Sequence, residues 1–275
     1  MKKYKPFFNE IAEKFYEECY SKIKSLINLN FEKDEFTRDE LQHFLNESGY
    51  KPSSKNLKCS NSTALLFTPG PTLDENFSII FKKNHIEHKF TIIAVDGAAR
   101  KFLDAEVPTD MVVTDLDGLS LDEISYMQQE WHTIFFIHAH GDNIEKIHDF
   151  SEKMALTNDF IFTTQSVPSE DTYNFGGFTD GDRAAFIATA LGFHKILLVS
   201  MDLDSNIIGK YSKPDNEKSI PVSSMPLKKK KMKIGLSCLK WLNNHKPDNT
   251  RIFTFKKVPA LDFIPNLNKC EFISS

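Results

Sequence analysis

The chain has 275 residues, 40% apolar and 26% charged, which excludes a disordered polymer or a collagen-like fibre. With 34 basic and 38 acidic residues its formal charge is −4, so its overall charge does not mark a nucleic-acid binder. The longest apolar stretch, Ala184–Phe193, is far short of the roughly 18 residues a membrane span needs. Four scattered cysteines (Cys19, Cys59, Cys238, Cys270) form no C-x-x-C pair, which fits a reducing cytosol and leaves no Cys-zinc site.

The N-terminal segment carries Glu10, Glu13, Glu17 and Glu18 and lacks the apolar run of a signal peptide. Phe8, Ile11, Phe15, Cys19, Ile23 and Leu26 recur at spacings of three and four, a helical stripe. Thr37-Arg38-Asp39-Glu40 has the pattern of a capping box and predicts the start of a second helix ending near Gly49. The polar stretch 51–62 reads as a linker. Residues 1–60 are thus expected to be a helical region that supplies packing or a dimer contact, and 61–275 an α/β catalytic domain.

Beyond residue 62 the pattern changes. Runs rich in β-branched and aromatic residues at Ala64–Phe67, Thr91–Val95, Met111–Thr114, Thr133–His138, Phe160–Thr164, Lys195–Ser200 and Arg251–Phe255 predict strands. Helical stretches near 73–83, 97–104, 120–130, 143–155, 181–192 and 226–245 lie between them. This alternation implies βαβ units, hence a mostly parallel sheet flanked by helices. The runs show little polar alternation, as strands covered on both faces should.

Ligands of an open parallel sheet bind beyond the carboxyl ends of its strands, and the notable polar residues fall there. The first strand runs into Pro69-Gly70-Pro71-Thr72, the second into Asp96-Gly97, the third into Asp115-Leu116-Asp117-Gly118. The fourth ends in His138-Ala139-His140-Gly141-Asp142-Asn143, the fifth reaches Thr164-Gln165, and the sixth ends at Met201-Asp202. Seven of the 11 glycines lie from Gly97 to Gly192. Asp115 and Asp117 point apart on an extended strand but converge in a turn. With Asp96 and Asp142 nearby, such hard oxygen donors suit Mg²⁺ shared with phosphate. Asp142 serves equally well as a helix N-cap. His138 and His140 lack the thiol partners of a zinc site and read as hydrogen-bonding or phosphate-contacting groups.

Asn174–Ala184 (NFGGFTDGDRA) is a glycine-rich loop running into an Ala-rich helix. Amides at a helix start hold anions, and Arg183 adds a planar phosphate clamp. Phe175 and Phe178 either stack on a flat ligand or pack in the core. The run Lys228–Lys231 followed by Lys233 reads as a solvated helix face, with one lysine reaching a bound phosphate as the alternative.

VDGAAR, PTDMVVTDLDG, HAHGDN and NFGGFTDGDRAAFIA, with GPTL at 70–73, resemble the archaeal-type 6-hydroxymethyl-7,8-dihydropterin diphosphokinases over most of residues 65–205. More distantly, DG…D-x-D is similar to thiamin pyrophosphokinases. The resemblance implies a thiamin pyrophosphokinase-like α/β fold and transfer of diphosphate from ATP to a pterin hydroxymethyl group, releasing AMP, with folate and methanopterin synthesis both open. It further implies Mg²⁺ on Asp96, Asp115, Asp117 and Asp142, and ATP on Gly70, Pro71, Thr72, Gly97, His140, Asn143, Gly181 and Asp182. Catalysis would fall to Asp115, Asp117 and Arg183, and the acceptor to Phe175, Phe178 and Asp180. A cytoplasmic enzyme, compatible with a homodimer, is expected, acting on small molecules without nucleic-acid or membrane partners. A metal-dependent glycosyltransferase using D-x-D to hold a nucleotide sugar, or a thiamin pyrophosphokinase, is the alternative. A haloacid-dehalogenase phosphatase is disfavoured, because its D-x-D follows the first strand.

Overall fold

The computed structural model describes residues 9–27, 31–50, 62–81, 89–141, 143–153, 159–212 and 218–267. Seven strands form one parallel sheet: β1 (Thr63–Phe67), β2 (Thr91–Val95), β3 (Met111–Thr114), β4 (Ile134–Ala139), β5 (Phe160–Thr164), β6 (Lys195–Val199) and β9 (Arg251–Thr254). Their order is β5-β4-β3-β2-β1-β6-β9. The chain winds outward from β1 to β5, then returns to lay β6 and β9 on the other side of β1. That reversal puts the topological switch point between β1 and β6. All seven predicted strands are present, with ends shifted by at most one residue.

The sheet is buried on both faces because its strands are apolar on both. Leu65, Phe67, Ile92, Val112, Phe135 and Phe162 pack one way. They meet α4 (Leu73–Phe81), α5 (Ala98–Asp104), α6 (Leu121–Trp131) and α7 (Ile144–Lys153). Ala64, Leu66, Ile93, Val113, Phe136 and Leu198 pack the other way, against α8 (Asp180–Ala190) and α9 (Pro226–His245). Right-handed crossovers place the first group of helices on one face and the return helices on the other. A short hairpin, β7 (Ile207–Ile208) with β8 (Ile220–Pro221), lies between β6 and α9. Two residues per strand are too few to leave a periodic signal.

The N-terminal helices join this core rather than standing apart from it. α1 (Glu10–Phe15) leads through a π-helical turn at Tyr16–Tyr20 into α2 (Ser21–Ile27), and Phe15, Tyr20 and Ile23 pack on the α8/α9 side. The wider π turn shifts the helical phase by one residue. Tyr20 is therefore buried, Cys19 only half-buried, and Leu26 exposed; Phe8 lies outside the described residues. α3 (Phe31–Ser48) crosses to the other face, where Leu41 and Leu45 are buried. The Thr37 capping pattern is no helix start, since Thr37 is buried within α3. The linker at 51–62 lies outside the described residues except Ser62. Among the described residues, no helix is long and apolar enough to cross a membrane.

Candidate active site

At the carboxyl ends of the strands lies a cavity of about 550 Å³. Its wall runs from Asp202 after β6, past Gly70 after β1, Asp96 after β2 and Asp115 after β3, to His138 in β4 and Gln165 after β5. Six adjacent strands set this length, roughly 24 Å from strand spacing alone. At the switch point the turns after β1 and β6 press together. A Cβ on Gly70 would strike the Ser200 carbonyl and the Asp202 carboxylate.

Asp115 and Asp117 both reach the cavity. Leu116 between them is left-handed (φ 66°), and its N–H donates to Thr114 Oγ1 at 2.9 Å, so the strand breaks into the turn that lets the carboxylates converge. Gly118 lets this turn close on the next one: a Cβ there would meet the Gly97 amide and the Asp96 carboxylate. Asp96 Oδ1 accepts from Thr114 Oγ1 at 2.9 Å. Asp115 Oδ2 lies 3.5 Å from His140 Nε2, and Lys146 of α7 pairs with Asp117. Burial first, then the Asp115 charge, pushes the Asp96 carboxyl up to about 6. Asp180 rises to about 8 through burial and then repulsion from Asp115, with Arg183 opposing.

Mutual repulsion among crowded carboxylates is what a cation relieves. Among the described residues no three His, Cys, Asp or Glu side chains form a ready metal cage. Asp142 lies outside the described residues.

Three helices start on the same cavity. Thr68–Pro71 precede α4, Phe178–Gly181 open α8, and Met225–Lys228 open α9. The positive ends of their dipoles favour anions. Arg183, Lys228 and Lys231 add positive charge to the wall. Only these two lysines of the run line the cavity; Lys229, Lys230 and Lys233 are exposed elsewhere. Their i, i+3 spacing separates them from the solvated face expected for the whole run.

Gly70, Pro71, Asp96, Asp115, Asp117, His140, Phe178, Asp180, Gly181 and Arg183 are thus brought together. Thr72, Gly97, Asn143, Phe175 and Asp182 do not line the cavity. Thr72 donates from its N–H and hydroxyl to Asp202 Oδ2 at 3.0 and 2.8 Å. Gly97 packs against the Tyr211 carbonyl. Asn143 Nδ2 donates to the Asp115 and His138 carbonyls at 3.0 and 2.7 Å, while Oδ1 accepts from the His140 N–H at 2.9 Å. Asp182 accepts from the N–H groups of Phe178 and Thr179 at 2.6 and 2.9 Å, as the acidic half of a capping box. Phe175 is a core ring stacked on Tyr173, with centroids 5.4 Å apart.

Sequence reasoning missed two struts from the N-terminal helices. Tyr20 donates its hydroxyl to the Gly177 carbonyl at 2.7 Å. Asp34 of α3 accepts from the Gly141 N–H at 2.8 Å and from Gln165 Nε2 at 2.6 Å. Gln165 and Met201, at the strand ends the sequence marks, both line the wall, as does Lys231.

A family model described as 6-hydroxymethylpterin diphosphokinase MptE-like matches residues 36–207. A protein of Methanothermobacter thermautotrophicus is 32% identical over 226 residues, 82% of this chain and 93% of its own. One from Pyrococcus furiosus is 33% identical over 246 residues, 88% of this chain and 94% of its own. Both are named 6-hydroxymethyl-7,8-dihydropterin pyrophosphokinase. In fold the chain resembles the MAf glycosyltransferase of Magnetospirillum magneticum AMB-1, with a TM-score of 0.50 and 14% identity, over 79% of this chain and 35% of that one. At that identity the likeness shows the fold alone.

Proposed function

The chain belongs to the 6-hydroxymethylpterin diphosphokinase MptE-like family, and from that premise we propose that it transfers diphosphate from ATP to the hydroxymethyl group of 6-hydroxymethyl-7,8-dihydropterin. The observation that carries this reading is the meeting of three helix starts, three cationic side chains and the carboxylates of Asp96, Asp115 and Asp117 on one cavity. Anion-seeking and cation-seeking groups side by side are what a metal-bound polyphosphate needs.

The pterin hydroxyl oxygen attacks the β-phosphorus, the bond from that phosphorus to the α,β-bridging oxygen breaks, and AMP leaves. The hydroxyl proton is released. Asp96, Asp115 and Asp117 would hold Mg²⁺, which when bound neutralises phosphate oxygens. Arg183, with the amides around Gly181, faces the charge that develops on the transferred group, and Lys228 and Lys231 face it from α9. This is catalysis by positioning and electrostatics, with no protein nucleophile required. Asn143 and Asp182 act one step back, by fixing the loops that carry His140 and Arg183. The product is an activated ester suited to building a folate- or methanopterin-type cofactor.

A panel of acceptors tests the reading. The purified protein with ATP and Mg²⁺ is expected to release AMP with 6-hydroxymethyl-7,8-dihydropterin and not with thiamin. Turnover of thiamin alone, or of a nucleotide sugar alone, contradicts it.

A further inference from the structure

Charge is not distributed evenly along the cavity. The helix starts after β1 and β6, the carboxylates after β2 and β3, and the cations of α8 and α9 all suit phosphate or metal. The β4/β5 end holds two neutral buried side chains, His138 and Gln165, which lie on the same face of the sheet as α8. His138 is 2% exposed. Its Nδ1 is 3.1 Å from Thr163 Oγ1, but its Nε2 is buried with no hydrogen-bond partner among the described residues. Burial, reinforced by the Arg183 and Lys231 charges and opposed by a hydrogen-bonding approach of the Gln165 side chain, holds the imidazole well below its usual pKa, so it is neutral.

Gln165 has a fixed orientation. Its amide nitrogen donates to the Asp34 carboxylate at 2.6 Å, an interaction the amide oxygen could not make. The carbonyl oxygen is therefore the atom left to face His138, which the Gln165 side chain approaches. A carbonyl oxygen repels phosphate but accepts from a ring N–H or an exocyclic amine. A buried orphan such as His138 Nε2 carries a desolvation cost that a native structure tolerates where a ligand completes the bond.

We infer that the His138/Gln165 pair binds the polar edge of the acceptor heterocycle, with Asp34 positioning Gln165, so that the acceptor occupies the β4/β5 end and the nucleotide the β1/β6 end. This assignment rests on the pterin reading above and adds which residues recognise the ring. It also gives the N-terminal helices a part in specificity, because Asp34 reaches the site from α3.

The test uses His138→Phe, which keeps a flat ring and removes both nitrogens. Binding is read by fluorescence titration with the oxidised probe 6-hydroxymethylpterin, and turnover with the dihydropterin and Mg-ATP. Loss of one neutral hydrogen bond predicts a probe Kd and a dihydropterin KM raised roughly tenfold, with the KM for ATP changed less than twofold. The melting temperature should fall only modestly, because the buried Thr163 contact is lost together with the orphaned nitrogen. Asp34→Asn is the second variant and keeps the test alive if His138→Phe does not fold. A neutral amide in place of the Asp34 carboxylate no longer fixes which way the Gln165 amide turns, so the probe Kd should rise several-fold at unchanged ATP KM. A raised ATP KM with unchanged pterin binding, or no change in either, overturns the inference. If the wild-type protein neither binds the probe nor turns over the dihydropterin, the functional reading itself fails, an outcome separable from misplacement of the ring.

Discussion

Two loops that look alike in composition, Asp115–Gly118 and Asn174–Arg183, use their polar groups in opposite ways. In the first, both carboxylates line the cavity, and the turn is held by Thr114 and by Asp115 Oδ1, which accepts from the Asp117 N–H at 3.2 Å. In the second, most polar groups hold the loop to itself. Asn174 Oδ1 accepts from the Gly176 N–H at 2.9 Å, Asp182 caps α8, and Arg183 donates to the Phe178 carbonyl at 3.1 Å while lying 3.5 Å from Asp180. Only Arg183 and Asp180 of this set also line the cavity. Density of polar residues thus marks a site without saying which residues are ligands and which are struts.

The contrast predicts opposite outcomes for carboxylate changes in the two loops. Asp117→Asn should lower kcat by on the order of 10²–10³-fold with an unchanged melting temperature. Near-normal turnover at limiting Mg²⁺ would remove Asp117 from the metal site. Arg183→Lys keeps the charge but loses the planar fork. A contact of about 1.5–3 kcal/mol translates to a loss of about 10- to 150-fold in kcat/KM for ATP; full activity would leave Arg183 only its loop contacts. Asp182→Ala should instead act on stability. Losing its capping bonds costs about 1.5–3 kcal/mol, lowering the melting temperature by roughly 3–12 °C. An unchanged melting temperature with lost ATP binding would return Asp182 to the ligand set.

A further effect is in pH dependence. In the metal-free protein the Asp96 and Asp180 carboxyls titrate near 6 and 8, above the unfolded value near 4. Between these limits the folded protein holds more protons than the unfolded chain, so its stability falls as pH rises from about 4 to 8. Asp180→Asn should flatten that decline and raise the melting temperature at pH 8. Melting curves across this range check the sign; stability rising with pH would contradict it.

The strands and the D-x-D turn were legible because each rests on local chemistry. Thr91–Val95 and Lys195–Val199 are short apolar runs, and Gly118 after Asp117 announces a turn. What stayed hidden depends on contacts between distant residues. The fate of Thr72 is decided by Asp202, 130 positions away, and that of Gln165 by Asp34, 131 away. Nothing near Asn143 in sequence says that its amide joins the β3 and β4 turns rather than meeting a ligand. The π turn at Tyr16–Tyr20 left no signal either, since Cys19 and Tyr20 both satisfy an apolar stripe. Lys228 and Lys231 could be separated from their neighbours only once the direction of α9 relative to the cavity was known.

The central claim is attack at the β-phosphorus of ATP in this cavity, and phosphorus NMR of the reaction mixture tests it most directly. With ATP, Mg²⁺ and 6-hydroxymethyl-7,8-dihydropterin, the account predicts AMP and a pterin diphosphate ester appearing in equal amounts. ADP with a pterin monophosphate would place the attack on the γ-phosphorus and contradict it.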